Sequence, residues 1–180
     1  LHENGIYDVQ VISTRGQLTD HYNPLQKTIN LSEPVYGSYS VAAAAVAAHE
    51  TGHALQHAKG YGPLKMRSAL VPIVSSTSKW VMWVILAGIL MLQTFPQLLW
   101  IGIAMFALTT LFSFITLPVE KNATNRALRW LSSAGITDVS NHSQAEDALR
   151  WAGYTYVVAA LSSLATLLYY VMIAMSGNRR

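Results

Sequence analysis

Residues 97–117, QLLWIGIAMFALTTLFSFITL, run for 21 positions without a charged side chain. A helix needs about 20 such residues to cross about 30 Å of hydrocarbon, so this stretch reads as a membrane span. Residues 152–175, AGYTYVVAALSSLATLLYYVMIAM, form a second uncharged run of 24 and pass the same test. Residues 80–92, WVMWVILAGILML, give 13 more, separated from the first run only by Gln93-Thr94-Phe95-Pro96. This shorter run reaches spanning length if its helix includes residues 68–78 or continues through Gln93, with Lys79 snorkelling or facing protein. Trp80, Trp83, Trp100, Trp151, Tyr154, Tyr169 and Tyr170 fall largely near run ends, where aromatic belts lie. Three buried helices of a soluble bundle is the lesser reading, because buried helices have no need of such length.

Composition agrees. Apolar residues make up 52% of the 180 and charged residues 12%, against about 25% charged in a soluble domain. High hydrophobicity excludes disorder, and a net charge of +3 is too small to argue for nucleic acid. The absence of cysteine removes disulfides, thiolate catalysis and cysteine-ligated metal sites.

Topology follows by parity. A tight turn joins the first two spans, so the segment after Leu117 returns to the side of residues 1–79, and the third span places the C-terminus opposite. Arg15, Lys27, Lys59, Lys65, Arg67, Lys79, Lys121, Arg126, Arg129 and Arg150 share the first side, and only Arg179 and Arg180 lie on the other. The positive-inside rule then makes the first side cytoplasmic. Four stretches result: a front part over 1–79, a helical hairpin over 80–117, a surface helix and linker over 118–150, and a final span with basic tail over 151–180.

The front part reads as a small sheet followed by one helix. Val9, Val11, Ile29 and Leu31 alternate as half-buried strands do, with Asn23-Pro24 as a turn signal between them. Ser38 or Ser40 caps a helix through VAAAAVAAHETGHALQHAK, which Gly60 and Gly62-Pro63 stop. Pro118 suits the first turn of another helix, ended by Gly135. Ser143 and Glu146 carry a capping-box signature at the start of the helix that becomes the last span.

Within the front helix, His49-Glu50-Thr51-Gly52-His53 carries the chemistry. Positions i and i+4 lie one turn apart on one face, so both imidazoles can reach one ion. Zinc takes His nitrogens at about 2.0–2.1 Å, and Glu50 is placed to meet a metal-bound water without ligating. The bland reading is a chance match in an Ala-rich helix, yet two imidazoles and a carboxylate among Ala and Val are costly to bury unless used. A catalytic centre needs a third protein ligand and one open position. His57 lies eight residues beyond His49, about 12 Å along the axis, too far to close round the same ion. Parity brings Glu120 back to the correct side. Spacing leaves it open between a metal ligand and an acid favoured by the macrodipole at a helix start.

HETGHALQH, with TDHYNP before it and LPVEKNATNRAL after two spans, resembles the YugP-type family of bacterial membrane zinc metallopeptidases, and more distantly the HtpX and CAAX prenyl protease group. The likeness covers nearly the whole chain. It implies a zincin-like α+β part at the membrane surface, one Zn2+ held by His49, His53 and Glu120, and Glu50 as general base. The family motif usually reads LPVEFDAS. Here Lys121 and Asn122 stand in it, so a carboxylate at 122 is missing, although the amide can still hydrogen-bond a ligand. Family members usually carry an upstream span, and NGIYDV resembles the stretch that follows it, which implies a truncated N-terminus.

Three further features stay open on sequence. Either His21 or Tyr22 donates to an oxyanion beside the metal, or Asp20-His21-Tyr22 is a polar turn. Arg126, six residues after Glu120 and on another helical face, reads as structural or charge-pairing. Ala159 and Ser163 read as helix packing in lipid.

The expected protein is therefore a mainly α membrane protein with three transmembrane helices and a small α+β metallopeptidase part. Its expected function is hydrolysis of membrane-associated or juxtamembrane protein substrates through a zinc-activated water. Its expected partners are those protein substrates and the lipid bilayer, with no nucleic acid, in a multi-pass cell-membrane protein whose active site faces the cytoplasm. The alternative is a zinc-stabilised membrane scaffold or regulator without turnover. A transporter is weakened by the lack of ionisable residues in the second and third spans.

Overall fold

The computed structural model describes residues 1–177, so Arg179 and Arg180, which enter the charge count, lie outside the described residues. The chain forms two compact units, Leu1–Lys65 with Pro118–Tyr154, and Met66–Leu117 with Thr155–Arg180. The protein is mainly helical, with one small mixed sheet.

In the first unit, strands β1 (Gln10–Thr14), β2 (His21–Asn23) and β3 (Thr28–Ser32) form a sheet of order β1-β3-β2. β1 runs parallel to β3 and β2 antiparallel to it. Asn23 closes the β2–β3 hairpin, its Oδ1 accepting the N–H groups of Leu25 and Gln26. This is the turn that Asn23-Pro24 predicts.

The expected half-burial fails in the central strand, because all five residues of β3 are buried. Ile29 and Leu31 pack on Ala54 of the next long helix. The polar residues alternating with them are buried too, because their side chains find partners. Asn30 donates to Thr28 Oγ1 at 3.0 Å, and Ser32 donates through its N–H and hydroxyl to Asp20 at 2.8 and 2.9 Å. A satisfied polar face tolerates cover, so alternation of residue type need not mean alternation of exposure.

After the short α1 (Glu33–Tyr36), α2 (Val41–Ala58) begins at Ser40, whose Oγ accepts the Ala43 N–H at 3.2 Å. It ends at Lys59, and Gly60 takes the left-handed φ of 63°. Gly62-Pro63 does not stop it. Those residues open the next helix, α3 (Gly62–Ser78), with Pro63 in its first turn, where a missing N–H does no harm.

Pro118 starts no helix. It lies inside α5 (Gln97–Ser133), which continues through it for 37 residues. Proline deletes one backbone bond, but packing on its C-terminal side outweighs that loss. Val119, Ala123, Ala127 and Leu131 recur every fourth residue and are 0–1% exposed. Ala127 and Leu131 form a core with Ala45 and Ala48 of α2 and with Ala145 and Leu149 of α6 (His142–Gly177). Gly52 permits the contact: a Cβ there would stand 2.8 Å from the Ala123 carbonyl oxygen. α2 and α5 therefore touch backbone to backbone one turn beyond Glu120.

The capping box at the start of α6 also fails. The helix begins at His142, which puts Ser143 inside it. The preceding loop closes on itself: Asn141 Oδ1 accepts the Asp138 N–H, and Asp138 Oδ1 accepts from Ser140.

In the second unit, α4 (Val81–Leu90) packs Val81 and Ile85 against Leu99 and Ile103 of α5 and Ala174 of α6. Gly88 and Gly102 let the hairpin close, since a Cβ on either would lie within 2.7 Å of Leu99 or Ile85. The first apolar run is not one straight helix. It breaks between Ser78 and Val81, where α3 and α4 meet at 46°. It also stops at Leu90 instead of continuing through Gln93, because Met91 O accepts the Thr94 and Phe95 N–H groups in a turn. α5 and α6 are each long and apolar enough to cross a membrane, and the bent pair makes a third such segment if it counts as one. Along α6 the buried face carries Ala160, not Ala159, on a seven-residue spacing with Leu167 and Ala174.

Candidate metal centre

The centre is built within the first unit from α2 and the part of α5 that follows Pro118. One turn of α2 separates His49 from His53, and their rings meet edge to face with centroids 4.8 Å apart. Glu120 Oε2 stands 3.1 Å from His49 Nε2 and 3.4 Å from His53 Nε2. Among the described residues these three are the group whose ligand atoms, all within 4.8 Å of one another, could hold a metal ion. Two ligand atoms bound at about 2.0–2.1 Å to a tetrahedral ion are about 3.3–3.4 Å apart, close to the two separations from Glu120.

Protons are arranged to suit. A ring nitrogen can hold a metal only while its lone pair is free, and the partner of the other nitrogen decides which one that is. His53 Nδ1 lies 3.0 Å from Gln56 Oε1, an acceptor only, so His53 donates there and Nε2 faces Glu120. His49 Nδ1 lies 3.2 Å from Thr124 Oγ1, which leaves its Nε2 for the centre as well. Gln56 is 0% exposed and is itself fixed: Nε2 donates to the Val119 carbonyl at 2.8 Å and to Asn122 Oδ1 at 3.0 Å. Asn122 Oδ1 also accepts from Arg126 Nε at 2.8 Å. Asn122 thus supports His53 at one remove, through Gln56, and among the described residues Arg126 makes a hydrogen bond along α5 instead of an ion pair.

Burial works against the Glu120 anion, yet the hydrogen bonds and positive charges of His49 and His53 outweigh it and hold the carboxyl at about 2. Glu120 is therefore ionised at neutral pH, an anionic oxygen between two nitrogens. Burial also opposes the His53 cation, but its bond to Glu120, with Glu50 and Gln56 nearby, raises it above the usual imidazole range. Glu50 is buried beside these groups. Burial pushes its carboxyl up, His53 and His49 pull it down, Glu120 pushes it up, and the backbone N–H of Tyr22 pulls it down.

That amide belongs to β2, one of the two edge strands of the sheet. The Tyr22 hydroxyl bonds to His57 Nδ1 at 3.0 Å, so His57 ties β2 to the end of α2, away from the three-residue cluster. His21 points elsewhere, its exposed ring bonded to Thr19 O at 2.7 Å. Sequence reading missed Gln56 and Thr124. Helical spacing held a signal for both, since Gln56 is one turn beyond His53 and Thr124 one turn beyond Glu120.

Gln56→Leu removes the acceptor that fixes the His53 tautomer. Loss of such a partner typically weakens metal binding about 10–100-fold, and zinc affinity is expected to fall by that amount in a competitive chelator titration. Unchanged affinity would contradict the role given to Gln56.

Residues 1–175 match the family described as "Putative neutral zinc metallopeptidase". A protein of Bacillus subtilis (strain 168) described as "Putative membrane protease YugP" is 43% identical over 175 residues, covering 97% of this chain and 77% of that protein. No solved structure matches the chain.

Proposed function

The chain belongs to the "Putative neutral zinc metallopeptidase" family, and from that premise we propose that it is a membrane-integrated zinc endopeptidase acting on membrane-associated or juxtamembrane protein segments. The observation that carries this reading is the close approach of His49, His53 and Glu120, with Glu50 buried beside them. In this reading the three hold one Zn2+ and Glu50 is the general base. When bound, zinc supplies a Lewis acid that acidifies water and polarises a carbonyl.

The chain's own residues do the rest. Gln56 holds His53 in the metal-binding tautomer, and Thr124 orients the His49 ring through Nδ1. Glu50 accepts a proton from water as the water oxygen bonds to the scissile carbonyl carbon. It returns the proton to the amine as the C–N bond breaks. The Tyr22 amide keeps the carboxylate aimed, and burial lifts its basicity towards the level useful to a base. Among the described residues no strand pairs with the outer side of β2, so an extended substrate backbone has an edge to lie along beside Glu50.

A membrane setting is supported by the two spanning-length helices and the bent pair. Glu120 follows the uncharged stretch 97–117 by three residues in the sequence, which suits substrates close to the bilayer. We read three spans, with the metal centre on the cytoplasmic side.

The test is chelation and reconstitution. Purified protein in neutral detergent is expected to cleave unfolded casein, to stop when a chelator removes its zinc, and to recover with one equivalent of Zn2+. Full zinc loading without cleavage would favour the scaffold alternative, and undiminished cleavage after complete metal removal would overturn the reading.

A further inference from the structure

The first unit holds a second concavity, on the side of α2 turned away from the metal. Leu55 follows His53 by two residues, about 200° round the helix, and lines a cavity of about 390 Å³. Lys59, Arg126, Arg129, Trp130 and Glu3 line it as well. Three cations thus face one carboxylate, whose Oε2 accepts the Trp130 indole N–H at 3.1 Å. Lys59 donates to Asn4 Oδ1 at 3.1 Å. Arg126 uses only Nε, on Asn122, and Arg129 makes no side-chain bond among the described residues. Among the described residues neither arginine pairs with an acid. Arg126 is half-buried and Arg129 exposed at the rim, and the planar fork of each matches a carboxylate or phosphate. The remaining wall is largely apolar, with the Trp130 ring and Leu55.

We propose that this cavity binds a small organic acid, an anionic carboxylate or phosphate on a short apolar body, through Arg126 and Arg129, and that its occupancy is coupled to the metal centre through Arg126. The connection is continuous: Arg126 Nε and Gln56 Nε2 share Asn122 Oδ1, and Gln56 Oε1 receives the His53 Nδ1–H. An anion that fixes the Arg126 fork holds Asn122 and Gln56 in the arrangement that points His53 Nε2 at the metal. Bound anion therefore raises zinc affinity, and zinc raises anion affinity by the same factor.

The same anionic chemistry exists on lipid headgroups, but the cavity with its largely apolar wall suits a small soluble acid, and the measurements below separate the two sources.

The coupling rests on the metal centre proposed above, whereas anion binding does not, so the two are measured separately. Calorimetry on metal-free protein in neutral detergent uses benzoate and inorganic phosphate as probes. Binding in the millimolar range or tighter is expected, with benzoate stronger because of the apolar wall. Arg129→Gln is expected to weaken it at least tenfold while leaving zinc affinity in the absence of anion unchanged, which also reports that the variant is folded. Arg129→Lys, which keeps the charge but not the fork, should bind at an intermediate level. In the second measurement, saturating benzoate is expected to tighten zinc binding about fivefold or more in the parent protein and not in Arg129→Gln. No binding at about 10 mM anion, or equal binding by the parent and Arg129→Gln, overturns the site. Binding seen only with nanodiscs of anionic phospholipid, and not with the free acids, overturns the small-acid assignment. Anion binding without any effect on zinc overturns the coupling.

Discussion

Glu50→Gln is expected to leave the protein folded and fully loaded with zinc, yet to slow peptide hydrolysis by about 10²–10⁴-fold, the range a positioned general base supplies. Glutamine keeps the shape of the side chain and can still face the Tyr22 edge, but its amide takes no proton from water. The carboxylate stands next to His49 in sequence and outside the three-residue cluster, so removing its charge touches chemistry and not ligation. Burial of a neutral amide is also easier than burial of an anion, so the substitution should not destabilise the unit. The measurement is casein cleavage beside zinc content on the same preparation. Chelator-sensitive cleavage at the parental rate would show that another group is the base.

Glu120→Gln is expected to weaken zinc binding by more than 100-fold, beyond the about 10–100-fold loss that follows removal of a supporting partner. Glu120 gives the set its negative charge, held ionised by two imidazoles. An amide oxygen in its place carries no charge and leaves two neutral nitrogens to hold a dication. Competition with a chelator of known affinity reads the loss directly. Stability offers an internal control: Glu120 sits on the buried stripe of α5 with Val119 and Ala123, and an isosteric amide keeps that packing. A Gln variant that retained parental zinc affinity would mean the ion sits elsewhere.

What was legible in the sequence follows physical lines. The HETGH pair was readable because helical spacing alone puts His49 and His53 on one face, and Ser40 marks where that helix starts. Glu120 needed more. Parity of the spans brought it to the right side, and spacing left it balanced between a ligand and the first-turn acid of a new helix. The structure removes the second alternative, because α5 has no start at Pro118. The local rule about proline lost to the packing of Val119, Ala123, Ala127 and Leu131, a stripe that is visible in sequence only once its partners on α2 and α6 are known.

Polar groups were the harder part. Gln56 reads as an ordinary helix residue, yet it is fully buried and joins His53 to Asn122. Its place one turn beyond His53 held a signal for the first contact, but the second depends on a residue more than sixty positions away, which no local pattern reports. The same holds for Tyr22: its place beside Glu50 is fixed by β2 pairing with β3 and by the hydroxyl bond to His57. Buried Thr28, Asn30 and Ser32 made β3 look half-exposed, because a polar residue in a sequence does not announce its hydrogen-bond partner. In the second unit the uncharged runs announced spanning-length helices, but the 46° break after Ser78 follows from no single residue type there.

Anomalous diffraction at the zinc edge, from crystals of the zinc-loaded protein, addresses the account most directly. One strong peak is expected at about 2.0–2.2 Å from His49 Nε2, His53 Nε2 and a Glu120 oxygen, with Glu50 outside bonding distance. A peak ligated by other residues, or no peak near these three side chains in zinc-saturated crystals, would contradict it.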